Sequence, residues 1–107
     1  MDLMSFSIIA YVVLFAANIV MIFLAIFNDS DIIKTLIGIG VAIFGIFAII
    51  ASFKADEYGF VLAIPIIVAD ILDIVYAFSI DDDTRQIVVS VIASIIFATI
   101  FAIAIFS

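Results

Sequence analysis

The 107-residue sequence contains no cysteine and no histidine. Disulfide frameworks, Cys/His zinc sites, haem ligation, thiol redox chemistry and Ser-His-Asp catalysis are therefore closed to it. Basic charge is nearly as scarce. Lys34, Lys54 and Arg85 stand against 10 acidic residues, for a net charge of −7. That balance excludes a polybasic lipid patch and binding to a nucleic-acid backbone. Charged residues of both signs make up only 12% of the chain, about half the share of an ordinary soluble domain. Hydrophobic residues make up 70%, which excludes a disordered chain and an ordinary soluble enzyme. The expectation is a non-enzymatic protein without metal or cofactor.

What charge there is falls in short clusters, and the apolar runs between them are long enough to cross a bilayer. Four spans emerge over residues 3–27, 32–53, 60–80 and 87–106. The breaks are Asn28-Asp29-Ser30-Asp31, Lys54-Ala55-Asp56-Glu57-Tyr58-Gly59 and Asp81-Asp82-Asp83-Thr84-Arg85-Gln86. Isoleucine occurs 26 times against 6 for leucine, a β-branched bias that would favour strands in water. In lipid an open strand leaves its backbone groups unpaired, and a closed barrel needs many alternating segments that this chain lacks. The spans are therefore read as helices. Pro65, the single proline, falls within the first two turns of the third and can bend that helix without ending it.

Short connections force neighbouring helices antiparallel, so the expected fold is all-α, a four-helix transmembrane bundle running up-down-up-down. Residues 1–107 form one domain with both termini on the same side. The Met1-Asp2-Leu3-Met4 start lacks the positive n-region of a signal peptide, so the first span is read as retained. One basic side chain and the terminal amine on one side balance Lys34 and Arg85 on the other, so positive charge does not orient the bundle. The expected setting is the lipid bilayer of a prokaryotic plasma membrane, as a homo-oligomer or within a larger complex, without nucleic acid. Phe27, Asp31 and Lys34 precede Phe78, Asp82 and Arg85 by 51 residues, which fits either a faint repeat of two hairpins or, the preferred reading, the ordinary gathering of charge at short helix-helix turns.

Small residues mark the faces on which membrane helices approach closely. The second span carries Gly38, Ala42, Gly45, Ala48 and Ser52, and the fourth carries Ser90, Ser94, Ala98 and Ala102. Both ridges are expected to pack closely on a neighbouring helix, one within the bundle in preference to one of another copy of the chain.

The candidate site is Asp70 and Asp73. Spaced i, i+3, their carboxyls share one helical face. Counted from Ile80, they lie ~15 Å and ~10 Å deep. An acidic residue at the bilayer centre costs roughly 2.5–3.5 kcal/mol on insertion scales and should face protein or water. Depth matching sets Asn18 level with Asp70 and Ser94 level with Asp73. Gly38 and Gly40 would admit a neighbouring backbone at similar depth, and Lys34 and Arg85 can reach no further than Asp73. Two carboxyls without a firm counter-charge titrate as a coupled pair, which suits proton exchange, and their oxygens also suit a hard cation such as Na⁺. The triple Asp81-Asp82-Asp83 lacks the spaced ligands of a calcium loop and reads as a helix-capping turn.

In length and span count the chain is similar to the small multidrug-resistance transporters. Those use a membrane-embedded Glu in their first helix, where this sequence has only Asn18, and it has no Trp. Its hairpins with a buried carboxylate are also similar to rotary ATPase proteolipids. There the acid lies in the second helix of a hairpin, whereas Asp70 and Asp73 lie in the first helix of theirs. Neither resemblance carries functional residues over. Three readings follow: proton or cation handling through Asp70, Asp73, Asn18 and Ser94; an assembly subunit whose acids dock a partner's basic residue; and a holin-like pore.

Overall fold

A computed structural model describes residues 2–27, 30–55 and 59–106. Its helices are α1 (Leu3–Phe27), α2 (Asp31–Ala55), α3 (Gly59–Phe78) and α4 (Asp83–Phe106). Every regular element among the described residues is helical, and the fold is the expected all-α four-helix bundle, 41 Å along its long axis. Asn28, Asp29, Asp56, Glu57 and Tyr58, read above as turn residues, lie outside the described residues. Helix α3 runs unbroken through the buried Pro65.

Side-chain caps set the helix starts. The Ser5 amide donates to Asp2 Oδ1 at 2.7 Å, and that bond holds the Asp2 carboxyl below the usual carboxylate range. The Arg85 amide donates to Asp82 Oδ1 at 3.0 Å, so α4 begins at Asp83 rather than at Ile87. The first cap that can supply the missing acceptor, not the first apolar residue, starts this helix. Helix α3 stops at Phe78 rather than Ile80. There the Ser79 hydroxyl donates back to the Val75 carbonyl at 2.6 Å, and the Asp82 amide closes a turn on the Ser79 carbonyl at 3.1 Å.

Helix directions follow from matched contacts. Gly38 of α2 packs on Ala77 of α3, and seven residues further along α2 Gly45 packs on Asp70, seven residues earlier in α3. These two helices are antiparallel. Met21 and Asn18 of α1 meet Tyr76 and Asp73 of α3, so both chains step back three residues together and run parallel. Each helix packs on its neighbours in chain order, and α4 closes the ring on α1. The α1–α3 contacts therefore cross the centre of the bundle. The end carrying the α1–α2 and α3–α4 connections is called the two-turn end here, and the opposite end the terminal end.

Apolar side chains cover the outside, with Phe27, Ile32, Phe47, Ile71 and Phe78 all exposed. Such a surface suits hydrocarbon rather than water. Three of the helices, α1 over Ser5–Phe27, α2 and α4 over Asp83–Ile103, are long and apolar enough to cross a membrane. The chain has the build of a small membrane protein. Inside, Ala10, Tyr11, Leu14, Ala48, Ile66, Ala69, Ala93 and Phe97 form the larger core, and Met21, Ala25, Tyr76 and Val89 form a second toward the two-turn end.

One packing expectation needs correction. The α2 ridge is buried throughout, but on α4 only Ser90 and Ser94 are, while Ala98 and Ala102 are exposed. Steps of four residues drift about 40° around a helix, so a four-spaced ridge leaves the interior after two steps. The buried line on α4 is instead Gln86, Val89, Ser90, Ala93, Ser94 and Phe97. The 51-residue match does not extend to environment: the Lys34 side chain is 2% exposed and the Arg85 side chain 59%.

Candidate functional site

Asp70 and Asp73 both turn inward, with 7% and 2% of their surface exposed. They lie ~12 Å and ~7.5 Å from Phe78 by helical rise, within the apolar length of α3. Their positions on one face bring the carboxyls within electrostatic reach of each other. The Asp70 carboxyl rests on Gly45 of α2, and a Cβ built there would overlap its Oδ1. A hydrogen at position 45 is thus what makes room for the acid.

Asp73 faces the Asn18 side chain of α1. The Asn18 amide also donates to the Leu14 carbonyl of its own helix at 2.9 Å, leaving Asn18 Oδ1 without a partner. Asp70 Oδ1, Asp73 Oδ1 and Ser94 Oγ are likewise buried and without a hydrogen-bond partner. A buried polar atom left unpaired costs about 1–3 kcal/mol. The unpaired oxygens of Asn18, Asp70 and Asp73 form a set able to hold a proton, a water or a small cation.

No basic residue neutralises the two acids. The Lys34 ammonium is turned to the two-turn end, 3.2 Å from Asp83 Oδ1 and 3.7 Å from Asp31 Oδ1. Arg85 lies outside, 3.7 Å from Asp82. The expected reach of Lys34 or Arg85 toward Asp73 is thus corrected: closer carboxylates at the helix ends hold both. Lys54 is exposed at the terminal end.

Other details of the expected layer also change. Asn18 meets Asp73, not Asp70, because equal counting from helix ends ignores how far α3 is offset along α1. Ser94 is buried but bonded to neither acid. With α4 starting at Asp83, it lies about a turn deeper than counted. Gly38 packs on Ala77 and Tyr76 instead of an acid, and Gly40 meets nothing within 4 Å.

The structure adds Tyr76, Gln86 and Ser90. The Tyr76 hydroxyl donates to the Met21 carbonyl at 2.9 Å and lies within electrostatic reach of both Asp73 and Asp83. Gln86 Nε2 donates to the Tyr76 carbonyl at 3.2 Å, and the Ser90 hydroxyl donates to the Gln86 carbonyl at 2.7 Å. Tyr76 follows Asp73 by three residues, and Gln86 and Ser90 precede Ser94 at intervals of four, so shared helix faces held a signal for all three.

On the other side of the acids, toward the terminal end, the interior is mostly apolar and aromatic, with Ser7, the Tyr11 hydroxyl and Ser52 as buried polar groups, the Tyr11 hydroxyl and Ser52 Oγ lacking a hydrogen-bond partner. Tyr11 meets Phe97 edge-on at 4.8 Å and Phe101 at 5.1 Å, while Phe15 stacks on Phe101 at 5.6 Å. Among the described residues no group of three or more acidic side chains is placed to hold a metal ion. Compared with protein-family models, curated proteins and solved structures, the chain matches none.

Proposed function

We propose that this protein is a multi-pass membrane protein, with all four helices crossing the bilayer, that binds and exchanges protons or monovalent cations at Asp70 and Asp73. One observation carries this reading. Two carboxyls stand inside an apolar bundle, with unpaired oxygens and no counter-charge. Intramembrane acids of this kind commonly mark proton relays and ion paths. An assembly subunit would need its acids on the outer surface to meet a partner's basic residue, and their 7% and 2% exposure speaks against that use. The plasma membrane of a prokaryote is the proposed setting.

The test is ion flux into liposomes holding purified protein, driven separately by a proton and a sodium gradient. Flux should be present in the wild type and lost in Asp70→Asn and in Asp73→Asn, with helix content unchanged by circular dichroism. Flux that persists in both variants, or is absent from the wild type under both gradients, overturns the reading.

A further inference from the structure

We propose that, in the arrangement described, the acidic layer is open toward the aqueous face at the two-turn end and closed at the terminal end, which opens in turn during transport, and that the Lys34–Asp83 pair is the gate on the two-turn route. The inference rests on the ion-binding reading of Asp70 and Asp73 and adds a direction and a control point.

The interior differs on the two sides of the acids. From Asp73 toward the two-turn end, polar atoms follow one another through the core. First comes the Tyr76 hydroxyl, bonded to the Met21 carbonyl and within electrostatic reach of Asp73 and Asp83, and then the side chain of Gln86, whose Oε1 is buried without a partner. Beyond it Lys34 reaches from α2 to Asp83 on the diagonally opposite helix α4. Lys34 is buried whereas Asp83 is 68% exposed, so this pair stands where the polar interior meets the surface. An unpaired oxygen such as Gln86 Oε1 gains a partner whenever water enters, which lowers the cost of wetting this half.

From Asp70 toward the terminal end, Leu14, Ala48, Ile66, Ala69 and Phe97 are packed into one cluster that the Tyr11 and Phe101 rings back. Water or an ion there would meet a tightly packed wall whose buried polar side-chain atoms among the described residues, on Ser7, Tyr11 and Ser52, are uncharged, with the Tyr11 ring edge-on to Phe97. The charged groups facing the gate are Asp31 and Lys34 on α2, Asp83 on α4 and, through Tyr76, Asp73 on α3. Lys34 is the only cation among these four, so removing it leaves acids that repel one another and favour the open arrangement.

Because the chain has no cysteine, single introduced thiols report without background. Ser90→Cys places one on the proposed route, and Ala10→Cys places one in the apolar half. Both positions are buried, and both lie seven residues from their helix starts, ~10.5 Å in from opposite ends. Depth therefore does not separate them. The probe is a cationic, membrane-impermeant methanethiosulfonate, applied to full-length protein in micelles and in liposomes.

Ser90→Cys should react about tenfold or more faster than Ala10→Cys, and Lys34→Met should raise only the Ser90→Cys rate, by about tenfold. Asp83→Asn frees the same lysine from the other side and should act in the same direction, which guards against misfolding of one variant. Equal rates at the two positions, or a Ser90→Cys rate that neither gate variant changes, would overturn the proposal. Wild-type flux with equal labelling leaves the ion-binding reading standing without the one-sided route. One-sided labelling in a protein without flux removes the ion-binding reading and leaves only a hydrated half.

Discussion

Cut across its middle, the bundle has two different interiors. Toward the terminal end, Tyr11, Phe15, Phe97 and Phe101 interlock by ring contacts, and the smaller residues Ala10, Ala48 and Ala93 let the helices close around them. Toward the two-turn end, Asn18, Asp73, Tyr76 and Gln86 fill the same space with groups that need hydrogen bonds, several of them unmet. In lipid, apolar side chains gain little by moving from hydrocarbon into protein, so the first half is held by close contact between shapes. The second half carries Asn18 Oδ1, Asp73 Oδ1 and Gln86 Oε1 unpaired, against the Tyr11 hydroxyl and Ser52 Oγ in the first, and each such oxygen offsets part of the packing around it. One half therefore serves as structural support for the other.

Substitutions can break this comparison, in descending order of expected effect. Phe97→Ala removes a ring that touches Tyr11 and Phe15 in a fully packed region. It should cost about 3 kcal/mol of bundle stability, read by denaturant titration in mixed micelles. A loss under about 1 kcal/mol would mean the aromatic half is not the support. Gly45→Ala should cost about 1–3 kcal/mol, because the new methyl takes the space of the Asp70 carboxyl. Gly40→Ala is its control. Position 40 opens outward with nothing within 4 Å, so alanine there should be neutral or stabilise by up to about 1 kcal/mol. If the two glycines respond alike, Asp70 does not rest on Gly45.

Tyr76→Phe deletes the bond to the Met21 carbonyl and should cost about 1 kcal/mol, in the same titration. The smallest effect belongs to Asp2, which is outside both interiors. Its carboxyl is held below the ordinary value by the Ser5 amide, so its support of the α1 start is present at neutral pH. That support is lost as pH falls through the lowered value. Asp2→Ala should leave the unfolding midpoint almost unchanged and fray the α1 start at neutral as well as acid pH, read as lost amide protection at Ser5 that no longer depends on this carboxyl.

Much of this arrangement could be read along the chain, and less of it across the bundle. Helix α1 occupies the expected 3–27, because only its length and apolarity had to be judged. Asp70 and Asp73 share a buried face, as their spacing and insertion cost implied. Lateral and axial offsets are set by packing, which a depth count does not see. Asn18 was accordingly matched to the wrong acid, and Ser94 was placed a turn too shallow. Lys34 looked like any charge at a turn, since nothing local shows that α4 brings Asp83 across to bury it. Gly45 is one of the five residues of the α2 small-residue ridge, and only the register with α3 singles it out as the seat of Asp70.

The central claim is that Asp70 and Asp73 are retained for ion exchange and not for holding the helices together. The direct measurement is made on one preparation of the Asp70→Asn/Asp73→Asn double variant, recording both its unfolding midpoint and its liposome flux. The account predicts a midpoint equal to or above that of the wild type, with flux abolished. A variant that unfolds more easily yet still conducts would contradict it.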